Sequence, residues 1–222
     1  YRSGFKGLRN NPISFNFCVT LFTTICGLMI KRTSAEDCKS ILNVSRETIE
    51  KFKLFLELLE KWQKKINLVG KSTLLDPWKR HIIDCGQITR LIKPKCSIVL
   101  DLGTGAGLPG IILSIMGVKN VQLVESDHKK AAFLQEASRL CKISTKITVK
   151  RVENLQNMRA NYVVARAFAP MDKALLAAKN QINKETKFVL HKGNNAIYEI
   201  EEVKKKLRQE SYLNQNLIPV FK

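Results

Sequence analysis

The chain has 222 residues, of which 45% are hydrophobic and 26% are charged. This length fits one α/β domain or a domain with a small appendage, and the composition excludes a disordered or fibrous protein. Lysine and arginine number 38 against 19 acidic residues, a net charge of +19. A field of that sign attracts polyanions, so nucleic acid or an acidic membrane surface is the expected partner, with a solubility device as the alternative.

Cysteine and histidine are too scattered to indicate a metal site. The six cysteines include no C-x-x-C pair, and the three histidines, His81, His128 and His191, are far apart in sequence. A disulfide framework is untypical of a chain of this length. We therefore expect free thiols in a reducing cytoplasm and no bound metal.

The amino-terminal segment differs from the rest of the chain in composition. An apolar run at residues 13–30 follows a stretch that contains basic residues and no acid. This pattern is typical of a signal peptide or a short membrane anchor, but polar residues interrupt the run and no small-residue cleavage site follows it. Because Met29 is the first methionine, we predict that residues 1–28 are an upstream translated or non-native segment, with an anchor as the alternative. No membrane association is expected for residues 29–222.

Helical patterns dominate residues 29–95, which we interpret as an amino-terminal helical cap. Thr33 and Glu36 form a capping-box pattern at the start of the first helix. In the second helix apolar residues recur every three or four positions, and Glu-to-Lys pairs four residues apart support it. The predicted helices occupy residues 33–42, 46–66 and 77–92.

Short apolar strands alternate with helices in the rest of the chain, residues 96–222. Such alternation is typical of a parallel sheet covered by helices on both faces. In these sheets the ligand lies at the carboxyl ends of the strands, near the point at which the strand order reverses. The predicted strands occupy residues 97–102, 120–125, 146–151, 161–166 and 187–192, and the predicted helices occupy residues 108–116, 127–141, 170–181 and 195–209.

A glycine-rich loop, DLGTGAGLPG, runs from Asp101 to Gly110 and joins the first of these strands to a helix. The string G-x-G-x-x-G within it matches a dinucleotide fingerprint, but its first glycine comes too late after the strand. S-adenosylmethionine fits better, because Asp101 can hold its ammonium group and Glu125, which ends the second strand, can accept its ribose hydroxyls. Gly103 and Gly105 let the backbone approach the cofactor closely. We predict S-adenosylmethionine as the cofactor, with a tight turn without a ligand as the alternative for the glycines alone.

The motifs of several methyl-acceptor classes are missing. The N-P-P-Y-like motif of adenine amino-methylating enzymes is absent after the fourth strand, where the sequence reads ARAF from Ala165 to Phe168. No P-C or T-C pair supplies the cysteine nucleophile for methylation at a pyrimidine carbon. The remaining acceptors include atoms that are already nucleophilic, such as N7 of guanine, which has a lone pair and no proton to remove.

The motifs in their order resemble a known family. LDLGTGAGLPG, LVESDHKKAAFL, RVENL, VVARAFA and HKG follow one another at suitable spacings, after the upstream strings W-x-x-x-x-N-L and R-H-x-x-D. This series closely resembles the ribosomal small-subunit methyltransferase G family, also called glucose-inhibited division protein B. The resemblance implies a Rossmann-like class I S-adenosylmethionine-dependent methyltransferase fold. It also implies methylation of N7 of a guanine in the 530 loop of bacterial 16S rRNA, in the cytoplasm.

The resemblance assigns roles to individual residues. The positions that match cofactor-binding positions of the family are Gly103, Leu108, Val152, Glu153 and Arg166, with Val152 and Glu153 at the adenine. The chemical argument above adds Asp101, Gly105 and Glu125. Arg80, His81 and Lys192 match positions on the substrate side, where they are expected to hold phosphate or the guanine. Arg80 and His81 also have simpler interpretations, as the ion-pair partner of Asp84 and as a buried structural histidine.

The carboxyl-terminal part departs from the usual methyltransferase sheet, which ends with two further strands. After the helix that is predicted to end near Gln209, the chain has room for one strand. We therefore predict that the methyltransferase domain, residues 96–222, lacks its final strand and exposes a sheet edge. Three functions stay open: an rRNA methyltransferase acting as a monomer, a catalytically weak RNA-binding remnant of that family, and a methyltransferase for a small molecule or protein.

Overall fold

The structure is a computed structural model that describes residues 16–21, 32–93, 97–193, 195–209 and 217–221. Most of the segment interpreted as upstream or non-native, residues 1–15 and 22–28, lies outside the described residues. That interpretation stays a prediction for those positions.

A sheet of parallel strands runs through the described residues. Beginning at the amino-terminal end, the strands are β1 (Asn16–Leu21), β2 (Val99–Leu102), β3 (Val121–Glu125), β4 (Lys146–Val149), β5 (Tyr162–Arg166), β6 (Lys187–Lys192) and β7 (Leu217–Phe221). Their spatial order is β4-β3-β2-β5-β6-β1-β7. The strands predicted from sequence are confirmed, β6 at its predicted bounds and the other four with ends within two residues of prediction. β2 lies inside the sheet between β3 and β5 and is buried at every position, which explains why its sequence is an uninterrupted apolar run up to Asp101.

Helices cover both faces of the sheet. They are α1 (Ala35–Leu42), α2 (Arg46–Gln63), α3 (Asp84–Gly86), α4 (Gly110–Ile115), α5 (His128–Leu140), α6 (Met171–Ala178) and α7 (Ala196–Gln209). Within the described part of the chain, no helix combines the length and the apolar character needed to span a bilayer.

The capping box that begins α1 lies one residue later than predicted. The Ser34 side chain accepts a hydrogen bond from the backbone N–H of Asp37 at 3.1 Å, and the Asp37 carboxylate accepts one from the backbone N–H of Ser34 at 2.8 Å. Thr33 instead donates its hydroxyl to Asp76 at 2.9 Å. The prediction of Thr33 as the cap is therefore wrong, because this hydroxyl bonds to a carboxylate far along the chain.

The third predicted helix is confirmed as helical, but its pitch changes along its length. A π-helical turn (Trp78–Ile83) leads into α3, and a 3₁₀ turn (Gln87–Leu91) follows. π-Helical turns are rare in proteins overall, but those that occur are often found at functional sites. The wider turn changes the direction in which its side chains point. This turn carries Arg80 and His81.

Two hydrophobic clusters, one on each face, hold the fold together. The amino-terminal helices share the first cluster with α4, α5 and one face of the sheet, through side chains such as Phe52, Phe55 and Phe133. The rings of Phe55 and Phe133 lie 6.2 Å apart between centroids. The second cluster packs α6 and α7 against the other face, with Phe188 at its centre. The helical cap therefore shares a core with the sheet, which fixes its position beside the strand ends.

The arrangement of strands beyond β6 differs from the predicted exposed sheet edge. A single strand, β7, follows α7 in the described residues, as predicted. The place beside β6 is not exposed, however, because β1 pairs with β6 in parallel, and β7 pairs with the other side of β1. Residues 16–21, which fall in the segment interpreted as non-native, are therefore part of the sheet.

Candidate active site

The point at which the strand order reverses lies between β2 and β5, where two loops meet at the carboxyl ends of the strands. These are the glycine loop, residues 101–110, and the segment after β5, residues 166–169. A cleft of about 1240 Å³ opens beside them. It is also lined by residues 67–71, which we call the rim loop, by the π-helical turn and by the end of β6. The sequence-based prediction of a ligand site at this edge is consistent with this geometry.

The glycine loop depends on backbone conformations that side chains disfavour. Gly103, Gly105 and Gly107 have φ values of +54°, +57° and +79°. A Cβ atom at Gly103 would collide with the ring of Phe168, which packs directly against this glycine from the loop after β5. Gly103, Gly105 and Leu108 all line the cleft, as their predicted role requires.

Asp101 lies beneath the glycine loop and does not line the cleft. Its Oδ2 atom accepts hydrogen bonds from the Thr104 hydroxyl and from the backbone N–H of Gly110, the latter at 2.8 Å. Burial raises the pKa of Asp101 to about 7, with a smaller contribution from the charge of Glu125, while the two hydrogen bonds act in the opposite direction. In this structure the carboxylate braces the loop, and its contact with an ammonium group stays a prediction.

Glu125 ends β3 and is also occupied by backbone groups. Its Oε2 accepts from the N–H of Gly105 at 2.9 Å, and its Oε1 accepts from the N–H groups of Ser126 and Asp127 at 2.8 and 2.9 Å. A carboxylate has about four lone-pair sites, so these bonds leave room for a further donor. Glu125 is buried and does not line the cleft, so its predicted contact with the ribose hydroxyls stays a prediction.

Val152 and Glu153 form a 3₁₀ turn with Asn154 after β4. Val152 is buried and Glu153 is exposed, and neither lines the cleft. Their predicted contact with the adenine of the cofactor is not tested by the geometry of the cleft. The glycine loop and Arg166 both line the cleft, whereas the residues of this turn do not.

Arg166 ends β5 and lines the cleft. Its guanidinium donates a hydrogen bond to Sγ of Cys85 at 3.3 Å. Cys85 is fully buried, and burial raises the pKa of its thiol to about 11, so the neutral thiol serves as an acceptor. This contact joins the strand end to α3 and orients the arginine.

The substrate-side residues on the π-helical turn both reach the cleft. Arg80 is half-exposed, and its guanidinium lies 3.9 Å from the Asp84 carboxylate, as its simpler interpretation predicts. His81 is 1% exposed, and burial lowers its pKa to about 3, with contributions from the charges of Arg166 and Arg80. Burial also raises the pKa of Asp84.

The end of β6 contributes His191 and Lys192. The His191 ring makes a 2.8 Å hydrogen bond with the backbone carbonyl of Asp84, and burial lowers its pKa to about 4. Lys192 donates to the carbonyl of Ala169 at 2.7 Å and to the Glu199 carboxylate at 2.8 Å. Although it lines the cleft, this lysine is engaged by the protein itself, so its predicted contact with substrate stays a prediction.

Several residues of the site were missed in the sequence. Phe168 supports Gly103, Thr104 bonds to Asp101, and Asn67 lines the cleft from the rim loop. Phe168 and Asn67 stand inside the motifs that carry the family resemblance, so motif membership was an available signal. In the described residues no group of His, Cys, Asp and Glu is arranged to hold a metal ion.

A parallel α/β sheet with a glycine loop at its switch point and an acidic residue at the end of the neighbouring strand defines a class, the S-adenosylmethionine-dependent methyltransferases. The family described as rRNA small subunit methyltransferase G matches residues 48–221. The chain therefore belongs to the rRNA small subunit methyltransferase G family, and the dinucleotide alternative for the glycine loop is excluded.

Individual relatives agree with this assignment. Ribosomal RNA small subunit methyltransferase G of Rhodospirillum rubrum is 44% identical over 159 residues, which cover 72% of this chain and 79% of that protein. The protein of the same name from Orientia tsutsugamushi strain Boryong is 45% identical over 158 residues, 71% and 79% of the two chains. Among solved structures, a ribosomal protein L11 methylase from Lactobacillus delbrueckii subsp. bulgaricus has a TM-score of 0.47 at 17% identity, covering 58% of this chain and 69% of that one.

Proposed function

We propose that this protein transfers the methyl group of S-adenosylmethionine to N7 of a guanine in the 530 loop of bacterial 16S rRNA, as a monomer in the cytoplasm. The observation that carries the proposal is the composition of one cleft. It joins the glycine loop to the cationic side chains of Lys71, Arg80 and Lys130. Small-ligand pockets occupy about 300–1,000 Å³, so a cleft of about 1240 Å³ has room for a cofactor and part of a nucleotide.

The glycine loop side of the cleft fits S-adenosylmethionine. The backbone at Gly103 and Gly105 is partly exposed there, and Gly105 has no close neighbour that a ligand would have to displace. Arg166 lines the cleft at the end of β5. Bound S-adenosylmethionine supplies an electrophilic methyl group. The residues of this chain bind it, orient it and separate it from bulk water.

The acceptor chemistry needs positioning more than proton transfer. N7 of guanine attacks with its lone pair and loses no proton, so no residue has to serve as a general base. The negative backbone of RNA is attracted by the net charge of +19. Lys71 and Arg80 line the cleft, so both cations are available to phosphate groups of a bound RNA. Phosphate contacts fix the register of a nucleic acid on a protein.

The test uses the purified protein, methyl-labelled S-adenosylmethionine and small ribosomal subunits that lack the modification. We expect label in 16S rRNA, with cleavage at N7-methylguanine mapping to one guanine of the 530 loop. Subunits that already carry the modification are the control and should stay unlabelled. Cofactor binding without label would favour the RNA-binding remnant, and label in protein or small molecules would favour the third alternative.

A further inference from the structure

The carboxylate of Glu199 is held by the protein through one of its two oxygens. Glu199 is in the first turn of α7 and lines the cleft. Its Oε2 atom accepts hydrogen bonds from the backbone N–H of Met171 at 2.6 Å and from the ammonium group of Lys192 at 2.8 Å. Each carboxylate oxygen has about two lone-pair sites, so these bonds occupy Oε2 and fix the position of the group.

The other oxygen of Glu199 is open to a ligand. Within the part of the chain that the structure describes, Oε1 has no hydrogen-bond partner, and it is not among the side-chain atoms that are both unbonded and buried. It is therefore accessible, on a side chain that is 26% exposed. A molecule that enters the cleft can reach this oxygen. A carboxylate oxygen accepts hydrogen bonds and does not donate them, so the partner that fits is an N–H or O–H group.

Lys192 compensates the charge of this carboxylate. Its ammonium group donates to Glu199 and to the carbonyl of Ala169, and its side chain is 12% exposed. An uncompensated carboxylate on the cleft wall would repel the phosphates of RNA. The ion pair removes that repulsion and leaves an oriented acceptor at Oε1.

The other acid on the described cleft wall, Asp84, is less suited to bind a donor from a ligand. Its carboxylate lies 3.9 Å from the guanidinium of Arg80, its side chain is 17% exposed, and burial raises its pKa. Glu199 is more exposed, and its two hydrogen bonds are of 2.8 Å or less.

A fixed acceptor in this cleft distinguishes guanine from adenine. Guanine has N1–H and the exocyclic amino group N2 as donors on its Watson–Crick edge, whereas adenine has an unprotonated N1 and no amino group at C2. N7 lies on the opposite edge of the purine. An acceptor that holds N2 therefore leaves N7 free to take the methyl group.

We infer that Glu199 is a specificity-determining residue, which accepts a hydrogen bond from N2 of the acceptor guanine through Oε1. The inference rests on the proposed function and adds to it the group by which the base is recognised. Lys192 is then a positioning residue, because it holds Glu199 and acts on the base through it.

The test compares guanine with inosine, which differs from guanosine by the loss of N2. The substrates are small ribosomal subunits reconstituted with 16S rRNA that carries either nucleoside at the methylated position. We expect the unchanged protein to prefer guanine by about 10- to 100-fold in kcat/KM, as for the loss of one base contact. The variants are Glu199→Gln and Glu199→Ala. The matched control is Glu202→Gln on the same helix, whose carboxylate pairs with Lys205 at 3.0 Å outside the cleft.

Glu199→Gln separates recognition from support of the fold. Its amide oxygen can replace Oε2 as the acceptor for Met171 and Lys192, so the amide NH₂ takes the place of Oε1 and presents a donor to a donor. We expect this variant to lose the preference for guanine, to within about threefold, and to bind S-adenosylhomocysteine within about twofold of the unchanged protein. Glu199→Ala should also lose the preference, and Glu202→Gln should keep it in full.

A role in support of the fold alone gives a different result. Glu199→Gln would then behave like the unchanged protein, and Glu199→Ala would slow both substrates equally. Either result would overturn the inference, as would equal methylation of the two substrates by the unchanged protein. Loss of S-adenosylhomocysteine binding in a folded Glu199→Gln variant would place the residue on the cofactor side and would also overturn it. If the unchanged protein labels neither substrate, the proposed function itself fails, and the inference fails with it.

Discussion

Backbone conformation and close packing, more than side-chain chemistry, explain why glycine occupies its positions in the glycine loop. Gly103 combines a φ of +54° with direct contact to the Phe168 ring, so both the backbone and the space exclude a larger residue. Gly70 in the rim loop also lines the cleft but has an ordinary φ of −64° and open space around its Cα atom. The two glycines therefore allow a matched test of what the loop requires.

Replacement of Gly103 by alanine should destabilise the protein and abolish tight cofactor binding. The left-handed conformation costs about 1–2 kcal/mol, and the displacement of Phe168 adds about 1–3 kcal/mol. Chemical denaturation measures the loss of stability, and calorimetry with S-adenosylhomocysteine measures the loss of cofactor binding. Gly70→Ala is the control and should leave both unchanged. A Gly103→Ala variant with unchanged cofactor affinity would contradict the close approach of backbone and ligand.

Asp101 makes the stability of the protein depend on pH. Its folded pKa of about 7 lies above its ordinary value, so the folded state holds this proton more tightly than the unfolded state. The resulting stabilisation is complete below about pH 4 and is lost as the pH rises through 7. Relative to Asp101→Asn, the unchanged protein should therefore lose unfolding free energy between pH 5 and pH 8.

Urea denaturation across that pH range checks the prediction. Asp172→Asn is the control, because the hydrogen bond from Lys206 lowers the pKa of Asp172 and its titration falls below the range. The unfolding free energy of that variant should change with pH in the same way as that of the unchanged protein. If the unfolding free energies of Asp101→Asn and the unchanged protein change equally with pH, Asp101 does not titrate between pH 5 and pH 8.

At the scale of elements, the shape of the cleft depends on how one helix end is tied to the rim loop. Gln63, the last residue of α2, accepts hydrogen bonds from the N–H groups of Leu68 and Val69 at 2.9 and 3.0 Å and donates to the carbonyl of Val69 at 3.0 Å. These bonds end the helix earlier than the predicted residue 66 and replace its next turn by a loop. The loop carries Asn67 into the cleft wall.

Removal of the Gln63 side chain should therefore affect substrate more than cofactor. In Gln63→Ala the rim loop loses its ties, which costs about 1–3 kcal/mol of stability. Misplacement of a positioning group by about 1 Å can cost up to about 10²-fold in rate, and we expect a loss of about tenfold or more in kcat/KM on small subunits. Binding of S-adenosylhomocysteine should stay within about twofold.

The matched control is Gln135→Ala on the exposed face of α5, which should alter neither value. If Gln63→Ala weakens cofactor binding as much as it slows methylation, the rim loop does not act on the substrate side.

At the scale of the whole molecule, two strands form the sheet beyond β6, one from the amino-terminal part of the chain and one from the carboxyl-terminal part. β1 lies between β6 and β7 and pairs with both. An interior strand contributes hydrogen bonds on two sides, and its loss exposes the edges of both neighbours. The amino-terminal strand therefore occupies the place that the predicted absence of a final strand would have left open.

Deletion of residues 1–31 should lower stability, whereas deletion of residues 1–15, which spares β1, should not. With about 2–4 °C of Tm for each kcal/mol in a chain of this size, we expect the longer deletion to lower Tm by about 5 °C or more and to promote association. Differential scanning fluorimetry and light scattering measure the two effects. An unchanged Tm would instead support the interpretation of residues 1–28 as non-native.

Local sequence patterns were sufficient to predict the fold class, the strand and helix positions after residue 96, the glycine loop and the family. These features depend on local periodicity and on contiguous motifs, and each strand or helix reflects its own sequence whatever it packs against. The same local information located Gly103, Leu108 and Arg166, which all line the cleft.

The hydrogen-bond partners of the polar groups around the cleft are apparent only in the folded chain. Asp101 and Glu125 accept hydrogen bonds from backbone N–H groups of the loops above them, and Lys192 bonds to Glu199. In the described residues, Oδ1 of Asp101 and the ring nitrogens of His81 are buried without a hydrogen-bond partner. The pairing of β1 with β6 was equally invisible in the sequence. The physical reason is that a hydrogen-bond partner is set by the arrangement of loops and strands in space. Glu125 meets Gly105 and β1 meets β6 only after folding, and even the nearer pair Lys192–Glu199 depends on a loop conformation that no local pattern specifies.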